Sequence, residues 1–222
     1  LPGSWEYRQA NQVLTAILSV EYNTTSWGLG IRRLAIPGPQ PIPLQGMPFD
    51  HARNQACQML LGSPCQWLFF LDSDVVPPPD AVLRLMSHNL PLVTGIYCRR
   101  SPPISVPVMM RPVGQWLNVV PHTGLHEVDV CGAGCLLIHR SVIERLPPQR
   151  PGSGKTWFDW RVDCHGLLPP GECLSEDFTF NIWCRKTLGI KTMCDSSIQC
   201  SHIGHAESRY GYFGPLGALP LP

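Results

Sequence analysis

The apolar positions Val13, Leu14, Ile17 and Leu18 recur with helical spacing and predict a helix from Trp5 to about Tyr22. Gly28 to Ile36 reads as a strand that ends at the breaker Pro37-Gly38-Pro39. The Pro-rich residues 37 to 48 read as a loop. A helix is predicted from Asp50 to Leu61, with Asp50 as its N-cap and Gly62 just past its end. Trp67-Leu68-Phe69-Phe70-Leu71 is a continuous apolar run, the pattern of a strand covered on both faces. It stops abruptly at Asp72-Ser73-Asp74. A short helix over Asp80 to His88 and a strand over Leu92 to Tyr97 follow.

Residues 99 to 127 are Pro-rich and irregular. Val128 to Cys131 and Cys135 to His139 read as two strand halves around Gly132-Ala133-Gly134. Ser141 and Glu144 have the spacing of a capping box for a helix through Leu146. Residues 147 to 174 form a long loop, and loops of that length are usually functional. Ser175 caps a helix to about Leu188 that stops at Gly189. Ile190 to Cys194 is a further strand, and a Gly/Pro-rich tail follows His205. Helices alternate with strands, so the predicted class is α/β, with a mainly parallel central sheet flanked by helices in a Rossmann-like arrangement. There is no internal repeat, and a single domain over residues 1 to 222 is expected.

Composition narrows the function classes. Apolar residues are 44% of the chain and charged residues 15%, which fits a globular protein with a real core. The formal net charge is +1, and Lys and Arg are scattered, so nucleic acid is not an expected partner. No apolar run reaches the roughly 18 to 20 residues of a membrane span. The ten cysteines form no CxxC pair, which argues for buried free thiols in a reducing compartment. The expected location is the cytoplasm, with peripheral membrane attachment as the variant. Cys164-His165 with Cys173 is a weak alternative metal set, and the sequon Asn23-Thr24-Thr25 carries no meaning without a secretory signal.

Three features carry candidate chemistry. Asp72 and Asp74 alternate at the end of a hydrophobic strand, where open α/β sheets bind ligands. Carboxylates there call for a cation, and Mg²⁺ or Mn²⁺ favours oxygen ligands shared with phosphates. The plainer reading is a turn capped by acids. Glu176 and Asp177 follow Ser175 at a helix start, where acids complement the helix dipole. A carboxylate held there can also accept a proton from an attacking hydroxyl, provided the transfer is concerted with leaving-group departure. His202 and His205 follow the last strand and are either metal ligands or structural imidazoles.

The segments Ala52-Arg53-Asn54, Phe69-Phe70-Leu71-Asp72-Ser73-Asp74, Cys131 to Ile138, Ser175-Glu176-Asp177 and Asp195 through His202 resemble GT-A glycosyltransferases, nearest to the family-2-like group of bacteria, archaea and phages. The resemblance covers roughly residues 50 to 205. It implies a nucleotide-binding half over about 1 to 98 and an acceptor and metal half over about 99 to 205. It implies Asp74 as direct ligand of Mn²⁺ or Mg²⁺, Asp72 on the ribose or a metal water, and His202 completing the metal site with His205 in reserve. Arg53, Asn54 and Ser73 would lie by the nucleotide. Gly132, Ala133 and Gly134 would line the sugar cleft, their missing side chains admitting substrate to the backbone. Asp177 would be the base, with Glu176 beside it. Such enzymes open with a strand that contacts the base, whereas this chain reads as opening with a helix. The first strand is thus unaccounted for.

The implied activity is transfer of a sugar from a UDP or GDP sugar to a hydroxyl of a saccharide, lipid or protein, with inversion. Competing readings are a retaining transferase, a nucleotidyltransferase and a catalytically silent carbohydrate- or nucleotide-binding relative. The stretch Pro151 to Thr156 mimics the end of a P-loop. It has Gln149 where that motif needs glycine, and no buried strand precedes it. Trp157, Phe158 and Trp160 would stack on sugars or anchor the loop.

Overall fold

A computed structural model describes residues 12–19, 23–99, 106–117, 124–149, 157–162, 173–203, 209–210 and 220–221. The apolar run after Gln66 forms a strand (β3, Trp67–Asp72) with residues 67 to 71 fully buried. Its side chains alternate between two cores. Leu68 and Phe70 enter one, and Trp67, Phe69 and Leu71 the other. That division is why no polar position interrupts the run.

Two more strands precede β3. The first, β1 (Val13–Ser19), lies between β2 (Ile42–Gln45) and β3 and is parallel to both. Within the helix predicted from Trp5 to Tyr22, residues 13 to 19 are therefore a strand, and the rest lies largely outside the described residues. Residues 13 to 18 are all buried, Thr15 and Ala16 included. When both faces are covered, apolar spacing no longer separates a strand from a helix. The strand predicted over Gly28 to Ile36 is also corrected. Thr25–Ile31 is a helix (α1), capped by the Thr24 hydroxyl, which accepts from the Trp27 amide at 3.2 Å. Its Gly30 lies against Val76, where an added Cβ would meet a methyl at 2.5 Å. The Pro-rich stretch holds β2, an edge strand, where Pro43 is tolerated.

The helix α2 (Phe49–Leu61) starts one residue before the predicted Asp50 cap, after Pro48, and ends at Gly62. After it come β3, a two-residue strand β4 (Val75–Val76), α3 (Ala81–Ser87) and β5 (Leu92–Ile96). The expected strand halves around Gly132 to Gly134 belong to different sheets. Among β6 (Met109–Met110), β7 (Leu125–Val128), β8 (Val130–Cys131) and β9 (Cys135–His139), β8 pairs with β6, whereas β9 enters the central sheet. Further on are α4 (Arg140–Arg145), the hairpin pair β10 (Arg161–Val162) and β11 (Cys173–Leu174), and α5 (Glu176–Leu188). The last elements are β12 (Thr192–Gln199), β13 (Ser201–Ile203), β14 (Arg209–Tyr210) and β15 (Pro220–Leu221).

The seven-stranded sheet runs β2-β1-β3-β9-β5-β12-β7 and is mostly parallel, with β9 and β7 reversed. α2, α4 and α5 supply the core on one face, and α1 and α3 the core on the other. The molecule is therefore mixed α/β with a Rossmann-like layering. Among the described residues no helix is long and apolar enough to cross a membrane. Nine thiols are free and all but Cys173 are buried, while Cys164 and His165 lie outside the described residues.

The expected capping box on α4 is replaced by another device. The N-cap is His139, whose Nδ1 accepts from the Ser141 amide at 3.2 Å, while Glu144 pairs with Arg140 at 2.7 Å. Arg140 also donates to the carbonyls of Leu60, Leu61, Ser63 and Cys65, closing the C-terminal end of α2. Burial pushes the His139 imidazole down to about 4, against a weaker upward pull from Glu144. An imidazole with a lowered folded pKa is neutral in the fold and charged in the unfolded chain near pH 5. Its contribution to stability is full above the ordinary histidine value and is lost as pH falls through about 4. We expect the urea midpoint of wild type to drop between pH 6.5 and 4 by more than that of His139→Asn, which keeps a capping oxygen but cannot titrate.

Candidate active site

The site forms where β3 ends. Asp72 is the last residue of the strand, and the Ser73 amide donates to the Leu18 carbonyl at 3.0 Å, turning the chain out of the sheet. β4 then pairs antiparallel with β13, and that register sets His202 opposite Val75. The Ile203 amide donates to the Asp74 carbonyl at 2.7 Å. His202 Nε2 consequently lies 3.4 Å from Asp74 Oδ1, although the two residues are far apart in sequence. Its Nδ1 is 2.6 Å from the Cys98 carbonyl, which can only accept, so Nδ1 carries the proton. In the neutral imidazole the Nε2 lone pair faces the Asp74 carboxylate. A carbonyl that fixes the proton on the far ring nitrogen is a support that metal-binding histidines share, and the near nitrogen faces Asp74.

Arg53, on α2, is 2% exposed and ties the site together. Its Nη2 donates to Asp72 Oδ1 at 3.2 Å and its Nε to Glu176 Oε1 at 3.0 Å, and its guanidinium carbon is 5.1 Å from the Phe70 ring centre. Burial works against the Arg53 charge, but Asp72, Glu176 and Asp177 outweigh it and hold the guanidinium above its ordinary value. Burial raises the Asp72 carboxyl; Arg53 opposes this, while Asp74 and Asp177 add to it. Glu176 is raised for the same first reason, with Asp177 adding and Arg53 opposing. One guanidinium thus faces the three carboxylates of Asp72, Glu176 and Asp177, with Asp74 beside Asp72, and the remaining negative charge favours a cation.

Asp177 stands at the start of α5. Its Oδ1 accepts from the Ser175 hydroxyl and, at 2.8 Å, from the Phe178 amide. Among the described residues its Oδ2 accepts only the Ala133 amide, at 3.2 Å, and is the oxygen with spare capacity. The carboxylate also lies on the wall of an open cavity of about 500 Å³.

Tyr97, at the end of β5, was not singled out in the sequence and sits between these groups. Its hydroxyl accepts from the Gly134 amide at 2.9 Å, and its ring meets His202 edge-on with centroids 5.4 Å apart. Burial raises its phenol, and Asp72 and Asp177 add to the shift. Trp27 was also missed, and its Nε1 donates to the Asp72 carbonyl at 3.2 Å. The one signal for Tyr97 was a polar-tipped aromatic ending an apolar run.

Several expected roles change. The clearance at Gly132 and Gly134 serves Tyr97 rather than a substrate. A Cβ at Gly132 would lie 2.1 Å from the Tyr97 hydroxyl, and one at Gly134 3.0 Å from both the Tyr97 ring and Asp72 Oδ2. Ala133 is buried and contributes its amide to Asp177. Arg53 and Glu176 are buried and paired with each other at 3.0 Å. Asn54 does not face a ligand; its amide binds the backbone of Trp157 and Phe158 at 2.7 to 3.1 Å. The three aromatics divide. Trp157 and Phe158 anchor the loop, Phe158 stacking on Phe180 at 4.2 Å, whereas Trp160 is 46% exposed at the cavity. His205 and residues 151–156 lie outside the described residues. Among the described residues no three His, Cys, Asp or Glu side chains form a ready metal cage, so an ion here would draw further ligands from substrate or water.

The chain matches no protein-family profile and no curated protein. It is similar to a solved structure, A197 from STIV, at 22% identity and a TM-score of 0.62, over 95% of this chain and 93% of that one. At that identity the likeness shows the fold alone.

The contact between Gly132 and Tyr97 is testable by a double-mutant cycle. Gly132→Ala should destabilise by about 1–3 kcal/mol through overpacking. Tyr97→Phe removes the colliding oxygen and should recover part of that loss. The two changes should therefore sum to less than their separate effects in guanidinium unfolding. Simple additivity would show that the phenol does not dictate the glycine.

Proposed function

We propose that this chain is a metal-dependent GT-A glycosyltransferase that moves a sugar from a nucleoside diphosphate, UDP or GDP, to a hydroxyl acceptor. The observation that carries this reading is the meeting of Asp74 and His202 at 3.4 Å, with the imidazole proton fixed on the far nitrogen by the Cys98 carbonyl. The sheet order also supports it, since the acids lie at the carboxyl end of β3, the usual ligand position in such sheets. Asp74 and His202 would hold Mn²⁺ or Mg²⁺, with diphosphate oxygens completing the set. Such an ion, when bound, supplies charge neutralisation for the departing diphosphate.

The protein's own groups do the rest. Asp72, fixed by Arg53, orients toward the ribose or a bound water. Asp177 Oδ2 takes the proton of the acceptor hydroxyl as that oxygen bonds to the anomeric carbon and the bond to the diphosphate breaks. A single base opposite the leaving group gives inversion.

Asp74→Ala should lose the Mn²⁺-dependent part of nucleoside diphosphate binding, a drop of at least about tenfold by calorimetry. Unchanged Mn²⁺ dependence in that variant would remove the metal assignment. Asp177→Asn should bind the nucleotide normally and lose transfer by roughly 10²- to 10⁴-fold. Transfer at the wild-type rate would shift the base role elsewhere.

A further inference from the structure

Among the described residues the cavity beside Asp177 has two charges on its wall, one of each sign. Asp177 stands with Ser175 and Phe178, and the other charge is Arg99. The Arg99 guanidinium carbon lies 4.6 Å from the Trp116 ring centre. Trp116 in turn leans on Phe178 of α5, with centroids 5.7 Å apart. Arg53, Arg84, Arg140 and Arg185 each meet a carboxylate, whereas Arg99 is exposed and meets none among the described residues. It is held by an aromatic platform, with its hydrogen-bonding edge uncommitted. Trp160, 46% exposed, is also part of the wall.

This combination is chemically specific. Indole rings pack against the C–H faces of sugars. A guanidinium offers a planar fork that matches a carboxylate or a phosphate in two parallel hydrogen bonds. Asp177 repels an anion from its own end, so an acidic group is directed to Arg99 and a neutral hydroxyl to Asp177. The polarity of the cavity therefore orients its ligand as well as selecting it.

We infer that the acceptor is an anionic saccharide, its acid group on Arg99 and its sugar rings on Trp116 and Trp160, with the reacting hydroxyl at Asp177. The acceptor role rests on the transferase reading, whereas the preference for an acidic sugar rests on the cavity alone.

The test titrates tryptophan fluorescence of the full chain with three probes: a galacturonic acid trisaccharide, a neutral galactose trisaccharide and glucose 6-phosphate. The acidic trisaccharide should bind at least about tenfold more tightly than the neutral one, the scale of one charge-assisted contact. That preference should vanish in Arg99→Gln and shrink in high salt. Tightest binding of glucose 6-phosphate, lost in the same variant, supports the inference with phosphate as the anion. Equal affinity for acidic and neutral sugars, or a preference that survives Arg99→Gln, overturns it. Arg99 is exposed, so the variant should melt at the wild-type temperature. Mn²⁺-dependent nucleoside diphosphate binding is measured in parallel. Its absence sinks the transferase reading and leaves the sugar preference standing, while its presence without sugar discrimination sinks only the acceptor class.

Discussion

The buried guanidinium of Arg53 is the constraint on which the site depends. It joins the end of β3, through Asp72, to the start of α5, through Glu176, which lies 123 residues beyond Arg53 itself. A charge buried to this degree is stable only because two carboxylates meet it, and removing either would leave an uncompensated ion in the core. The same bridge fixes where Asp72 and Asp177 stand relative to each other. The last residue of β3 and the first turn of α5 are therefore positioned by one buried side chain.

Tyr97 is the second fixed point. It separates the imidazole of His202 from the Gly132 to Gly134 turn and accepts one of that turn's amides. The glycines are small because the phenol occupies their space, and the turn carries the Ala133 amide to Asp177. Backbone, aromatic ring and carboxylate thus form one packed unit in which no member can shift alone.

Much of this was legible in the sequence. The apolar run ending in Asp72 and Asp74, the helix start at Ser175 and the later His202 had the right order, and the fold brings them together. β1 was read as a helix because a strand covered on both faces shows no alternation that sets it apart. The helix α1 was hidden by its two glycines, and only its packing against Val76 explains Gly30. The contacts of Arg53, Asn54 and Glu176 were not legible for one common reason. Each is polar and near the site, but each turns its polar atoms inward, and side-chain direction across a fold cannot be read from local spacing. Tyr97, Arg99 and Trp116 escaped notice because they come together only in three dimensions.

The reversed strand β9 has a consequence for how the chain acquires its structure. It separates β3 from β5, so these two strands cannot pair with each other, and β5 also needs β12 on its other side. During synthesis the N-terminal half emerges with two open edges facing a gap. Closure waits for residues 135 to 139 and then for residues 192 to 199. Pairing over such separations is entropically slow and leaves apolar edges exposed meanwhile. The two halves of the sheet thus stay unjoined until the last third of the chain is available to pair.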